Sequence, residues 1–286
     1  MQLSPIALAS TWDLVASDYA VEIAPAFEYF AREALRLTRV ARGQRVVDVA
    51  CGPGTLALLA AELGAEVEAI DFSPKMVAAL HARGNAGAAS RAASLKVNVQ
   101  VGDGMALPYG DRQFDAGFSM FGLMFFPDRS KGFRELARVL KPGARAVVAS
   151  WVPIVKNPLV WAAVEALTQL TMPAQPSAPA PLPAQPSAPP PVLPLASPES
   201  CRAEMAAADF TDVTVHELVG PAQFASTAEM VASFGRSSAP FALNKQQLAG
   251  RWPEVEAEIT RRVSERFGTG PQTVHNAAYL TVGVRG

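Results

Sequence analysis

Val47-Asp48-Val49-Ala50-Cys51-Gly52-Pro53-Gly54 is the stretch on which the reading of this 286-residue chain turns. Arg45 to Ala50 is short and apolar, as a strand buried on both faces of a parallel sheet must be. The two glycines let the backbone turn and approach a ligand closely. Thr55 to Leu63 then follows a helical pattern and is closed by Gly64 at the C′ position. A helix starting there aims unpaired N–H groups at whatever lies above the strand.

Outward from this point the chain alternates strands and helices. Glu66 to Ile70 has the period of a strand, and Asp71-Phe72 follow it. Ser73-Pro74 supplies an N-cap with proline at the first helical position, opening a helix to about Arg83. Val97 to Val101 is a third strand, ending at Gly102-Asp103-Gly104, and Phe114 to Phe121 is a fourth. Ser130 to Leu140 is a helix stopped by Lys141-Pro142-Gly143, and Ala144 to Trp151 is a fifth strand. Such alternation implies a parallel α/β sheet with helices on both faces. Further on, Pro198 to Ala208 reads as helix, Asp212 to Leu218 as strand, 227–268 as mostly helix, and Ala277 to Val284 as a final strand. At the other end, Trp12, Val15, Tyr19, Ile23, Phe27, Phe30 and Leu35 recur every three to five residues. They form the apolar face of a helical stretch lying on the domain.

Composition bounds the rest. Half the residues are apolar, 18% are charged and the net charge is −1, so no basic field is present to hold a nucleic-acid backbone. The two cysteines, Cys51 and Cys201, make neither a disulfide framework nor a metal cluster. With no secretory signal and no membrane-length apolar run, a cytoplasmic monomer or homodimer is expected. Eleven of the 24 prolines fall between Pro173 and Pro198. There the heptad Pro-Ala-Gln-Pro-Ser-Ala-Pro occurs twice, from Pro173 and from Pro183. Proline lacks the amide donor, so this tract is read as a polyproline-II-like connector.

The glycine turn has two readings. Gly52-x-Gly54-x-x-Ala57, with Asp71 downstream, satisfies the dinucleotide fingerprint, so a nicotinamide-dependent oxidoreductase competes. Three observations favour another ligand. Asp48 is an acid inside the first strand, beneath the loop, where a pyrophosphate needs none. Asp103 is a second strand-end acid beside Asp71, as a nucleoside would use on ribose and adenine. The chain also ends in a strand behind the one marked Phe114-Asp115.

Together Val47 to Gly54, Ile70-Asp71-Phe72-Ser73, Val101 to Pro108, Phe114-Asp115 and Glu135 to Gly143 resemble the ordered motifs of class I S-adenosylmethionine-dependent methyltransferases. The branch they look most like includes the ubiquinone and menaquinone methyltransferases. The resemblance covers residues 40–151. It implies a Rossmann-like open sheet of seven strands in the order 3-2-1-4-5-7-6, the last antiparallel, with helices on both faces and helical lid insertions. It implies S-adenosyl-L-methionine as cofactor and a small-molecule methyl acceptor as partner. Ala50, Gly52 and Gly54 would line the methionine moiety. Asp71 would take both ribose hydroxyls, since two neighbouring donors suit one ionised carboxylate. Phe72 and Met76 would pack on adenine, and Asp103, Gly104 and Met105 would address its edge. Ser119 would lie under the methionine chain, and Tyr19 would reach its carboxylate. Asp48 is either a turn-stabilising acid or a neighbour of the cofactor amine. No Asn-Pro-Pro-Tyr run follows the fourth strand, where Ser119-Met120-Phe121-Gly122 stands, which argues against methylation of an exocyclic amine.

The expected organisation is a helical cap at 1–40, a cofactor-binding core at 41–151, a lid insertion with its proline-rich linker at 152–197, and completion of the sheet at 198–286 around a helical insertion at 219–274. The two insertions are expected to form the acceptor pocket through Val160, Trp161, Val164, Leu167 and Leu170, and through Phe224, Met230, Phe234 and Phe241. Met120, Phe121, Met124, Phe125 and Phe126 would add to it. Such a lining fits an apolar or aromatic acceptor. Of the three histidines, His81 is read as a surface residue and His216 as structural. His275, just before the last strand, is the one candidate for a general base. A cofactor-binding regulator without turnover remains a further reading.

Overall fold

The computed structural model describes residues 4–86, 95–171 and 194–286. The duplicated proline heptads lie outside the described residues. Seven strands form one sheet: β1 (Arg45–Val49), β2 (Glu66–Asp71), β3 (Lys96–Val101), β4 (Phe114–Met120), β5 (Leu140–Trp151), β6 (Phe210–Phe224) and β7 (Gln272–Arg285). Their order is β3-β2-β1-β4-β5-β7-β6. The first five are mutually parallel, and β7 runs antiparallel between β5 and β6. The expected fold class is therefore the observed one. The strand order reverses at β1, which opens a crevice at its carboxyl end.

The helices divide the core. On one face α2 (Glu28–Thr38) and α3 (Thr55–Glu62) bury Phe30, Leu35, Leu56 and Ala60 against Val46, Phe118 and Val147. On the other, α5 (Arg129–Val139) and α7 (Pro198–Ala206) bury Phe133, Leu136 and Met205 against Val47, Phe114 and Val148. Full burial of such side chains contributes about 1.5–3 kcal/mol each before entropy is counted. A separate apolar cluster joins α6 (Pro158–Thr171) to α8 (Thr227–Ser237), α9 (Ala239–Leu248) and α10 (Trp252–Phe267) through Leu159, Ala163, Met230, Phe241, Trp252 and Ile259.

Three expectations need correction. The fifth strand begins at Leu140, which pairs with Phe114, and the register shifts before Ala116 meets Arg145. Lys141-Pro142-Gly143 is thus an irregularity within the strand, with Gly143 at φ +78°. The sixth and seventh strands run on past the sheet as a ribbon in which Phe224 pairs with Gln272, so the insertion between them is 225–271 rather than 219–274. Pro221 is tolerated because β6 is an edge strand. The N-terminal stretch is not one helix. It is α1 (Ala9–Asp18), a π turn over Tyr19–Ile23, a short turn over Pro25–Phe27, then α2. Pro25 has no N–H to continue the ladder.

Candidate active site

The turn after β1 is built from left-handed residues. Ala50, Gly52 and Gly54 have φ of +56°, +54° and +78°. For Ala50 this conformation is strained. Gly54 is obligatory, because a Cβ there would stand 2.0 Å from Leu80 Cδ1. Gly122 is equally constrained, since its Cβ would meet that of Ala50 at 2.3 Å. The loop's amides are largely engaged. Cys51 N–H donates to Ile70 O (3.1 Å), Gly54 N–H to Cys51 O (3.0 Å), and Gly52 N–H to Asp71 Oδ2 (2.8 Å). From α4 (Pro74–Ala86), Arg83 donates to Pro53 O (2.6 Å) and to Thr55 Oγ1 (3.3 Å), which holds the loop from behind.

Two carboxyls lie beneath and beside this loop. Asp71, at the end of β2, accepts one N–H on each oxygen, from Gly52 and from Ser73 (2.9 Å). Each oxygen keeps a free lone pair, enough for two neighbouring hydroxyl donors. Burial pushes its pKa up to about 6, and those two amides offset part of the rise. Asp48 is buried in β1, and neither of its oxygens makes a well-formed hydrogen bond. Burial first, then the charge of Asp71, push it up to about 8, and the Ala57 amide offsets part of the rise. An orphaned buried carboxyl is costly, and the cation of a ligand above it would remove the cost.

Above these groups opens a cleft of about 310 Å³. Tyr19, Ala50, Gly52, Asp71, Phe72, Met76, Asp103, Gly104 and Met105 all line it, together with Asp48. Asp103 Oδ1 accepts the Met105 N–H (2.8 Å), which shapes the tip of β3. Gly54 and Ser119 are not on the surface of the cleft. Gly54 packs behind the loop on Leu80, and buried Ser119 accepts the Leu123 N–H (3.1 Å) beneath the floor. His275 is exposed on the ribbon opposite Pro221, outside the cleft. Among the described residues, no Lys, Arg or His lines it.

The far wall is aromatic. Phe121, at φ +62°, stacks on Trp151 with centroids 4.0 Å apart, and Phe27 packs on both. Trp12 meets Phe125 at 5.5 Å, and Phe126 completes this side. The roof is the N-terminal segment, through Trp12, Tyr19 and Phe27. Of the residues of α6 and of 224–241 expected in the acceptor pocket, all but Trp161 lie instead in the separate apolar cluster, and none lines the cleft. What the sequence reading missed are Asp13 and Arg83. Asp13 Oδ1 accepts from Ser73 Oγ (2.6 Å) and from the Lys75 N–H (3.1 Å). No local signal marks contacts 28 to 62 residues apart.

Fold and cleft together place an acid-lined pocket at the topological switch point of a seven-stranded sheet. Residues 47–148 match the family model described as a methyltransferase domain. That match makes this stretch a methyltransferase domain. Over 107 residues the chain is 43% identical to a probable chloroplastic tocopherol O-methyltransferase of Oryza sativa subsp. japonica, covering 37% of this chain and 28% of that one. Over 124 residues it is 39% identical to the demethylmenaquinone methyltransferase of Thermus thermophilus, covering 43% and 54%. The matched stretch thus spans about half or less of these relatives. Across nearly its whole length the fold is similar to that of YcgJ of Bacillus subtilis. That comparison covers 90% of this chain and 98% of that one, with a TM-score of 0.59 at 18% identity.

Proposed function

We propose that this chain transfers the methyl group of S-adenosyl-L-methionine to a small, apolar or aromatic acceptor. The observation that carries the reading is the pair of buried acids, Asp48 and Asp71, at one strand-end cleft whose described lining holds no cationic side chain. A dinucleotide pyrophosphate would meet the ionised Asp71 there and a loop whose amides are mostly engaged. A cationic adenosyl amino acid would meet a ribose acceptor and an orphaned carboxyl.

The bound cofactor supplies a methyl group already activated by its sulfonium. The chain's residues have three tasks. Asp71 holds the sugar through its two free lone pairs, with Asp103 at the base. Asp48 compensates positive charge over the loop. Trp12, Tyr19, Phe27, Phe121, Phe125 and Phe126 exclude water and align an apolar acceptor. His275 is exposed and does not line the cleft, and no role as base is assigned to it.

Calorimetry on the full chain tests the reading, with S-adenosylhomocysteine and NADH as ligands. The expected result is binding of the first and not the second. Asp71→Ala should weaken it by at least ~100-fold, the weight of two hydrogen bonds to a charged group. A screen of quinones, phenols and amines with radiolabelled donor then identifies the acceptor. Binding of NADH without S-adenosylhomocysteine would overturn the reading.

A further inference from the structure

We propose that Asp13 is a positioning residue that latches the N-terminal roof onto the nucleoside half of the site, so that roof docking and cofactor binding are one coupled event. The inference rests on the function proposed above and goes beyond it.

The roof helix α1 meets the cofactor half at two places. Its apolar face sets Val15 and Ala16 against Met76, which is 2% exposed and lines the cleft. Beside this, Asp13 Oδ1 takes the Ser73 hydroxyl and the Lys75 amide. Ser73 is the hinge of the arrangement. Its N–H holds Asp71 Oδ1, and its Oγ takes the Met76 N–H (3.1 Å) while donating to Asp13. A continuous chain of bonds therefore runs from the roof, through the turn after β2, to the carboxylate assigned to the ribose. Trp12, next to Asp13, and Tyr19, after α1, are two of the roof's contributions to the cleft. Asp13 is thus the polar joint between the acceptor wall and the sugar site. A helix cap supplied from another element, rather than by a local side chain alone, makes the start of α4 depend on the roof.

The test compares Asp13→Ala with Asp13→Asn, which keeps the accepting Oδ1. S-adenosylhomocysteine is the probe, and hydrogen exchange is followed over residues 9–23. In the parent protein, ligand should slow exchange in this segment. Asp13→Ala should weaken binding ~10-fold and abolish the ligand-induced protection, and Asp13→Asn should restore most of both. A second variant, Ser73→Ala, should lose affinity non-additively with Asp13→Ala. A stability cap alone would lower the melting temperature of Asp13→Ala and leave affinity and ligand-induced protection at parental values, and that result would overturn the proposal. If the parent protein binds no S-adenosylhomocysteine, the functional reading itself fails, and the two failures are distinguishable.

Discussion

Asp48 shows how one residue can serve binding against stability. Its folded pKa is raised to about 8, so the native state keeps a proton that the unfolded chain releases near pH 4. Between those values the native state binds more protons, and stability falls as pH rises. Asp71 contributes in the same sense only up to about pH 6. From pH 6 to 8 the decline therefore belongs to Asp48. In Asp48→Asn the melting temperature of the ligand-free protein should become nearly flat over pH 6–8 and rise at pH 8, while affinity for S-adenosylhomocysteine falls. Thermal melts at pH 5.5–8.5 with calorimetry check this, and an unchanged slope would contradict it. The positions of Asp48, Asp71 and Asp103 are legible in the sequence because each sits at or near the end of an apolar run that turns at glycine or serine. That Asp48 lacks a well-formed hydrogen bond is not legible, since a strand pattern shows which way a residue points and not what covers it. His275 illustrates the same limit: its place depends on how far β6 and β7 outlast the sheet.

At the scale of elements, α4 is the part that organises the site. Ser73 precedes its first turn, which carries Met76, its middle sets Leu80 against Gly54, and Arg83 reaches back to Pro53 O and Thr55 Oγ1. Arg83 is half-buried, and burial lowers its pKa without threatening its charge. Its removal leaves the Pro53 carbonyl without that partner. Arg83→Ala is expected to cost about 1–3 kcal/mol in stability and to weaken S-adenosylhomocysteine several-fold through a loosened loop, with Arg83→Lys intermediate. Denaturant melts and calorimetry on the same samples separate the two effects. The helix itself was readable from Ser73-Pro74 and its apolar spacing, as were the five parallel strands. Its long-range grip on the glycine loop was not, because a basic residue late in a helix is ordinarily solvated. The full length of the β6 and β7 ribbon is hidden in the sequence for a different reason. Gly220-Pro221 has the chemistry of a turn, and only an edge position lets the strand continue through it.

At the scale of the whole molecule, the insertion 225–271 reaches the cleft indirectly, through the roof. Ser233 Oγ and Arg236 Nε, both on α8, donate to Glu22 Oε2 (2.5 Å) and Oε1 (2.6 Å), and Glu22 lies in the π turn just after Tyr19. Asp13 ties the roof to the core on one side of that turn, and Glu22 ties it to the insertion on the other. The helices expected to cover an acceptor thus brace the roof of the cleft instead. Arg236 and Glu22 are partly exposed, so the ion pair itself is worth ~0.2–1 kcal/mol, while Ser233 is buried and loses more if its partner goes. Glu22→Gln and Arg236→Ala should each lower the melting temperature by only a few degrees, yet weaken S-adenosylhomocysteine ~2–5-fold by freeing Tyr19. The double variant should be no weaker than the worse single one, because both changes cut the same brace. Affinities that multiply in the double variant would mean that the two side chains act separately, and that the insertion steadies the roof by apolar packing alone.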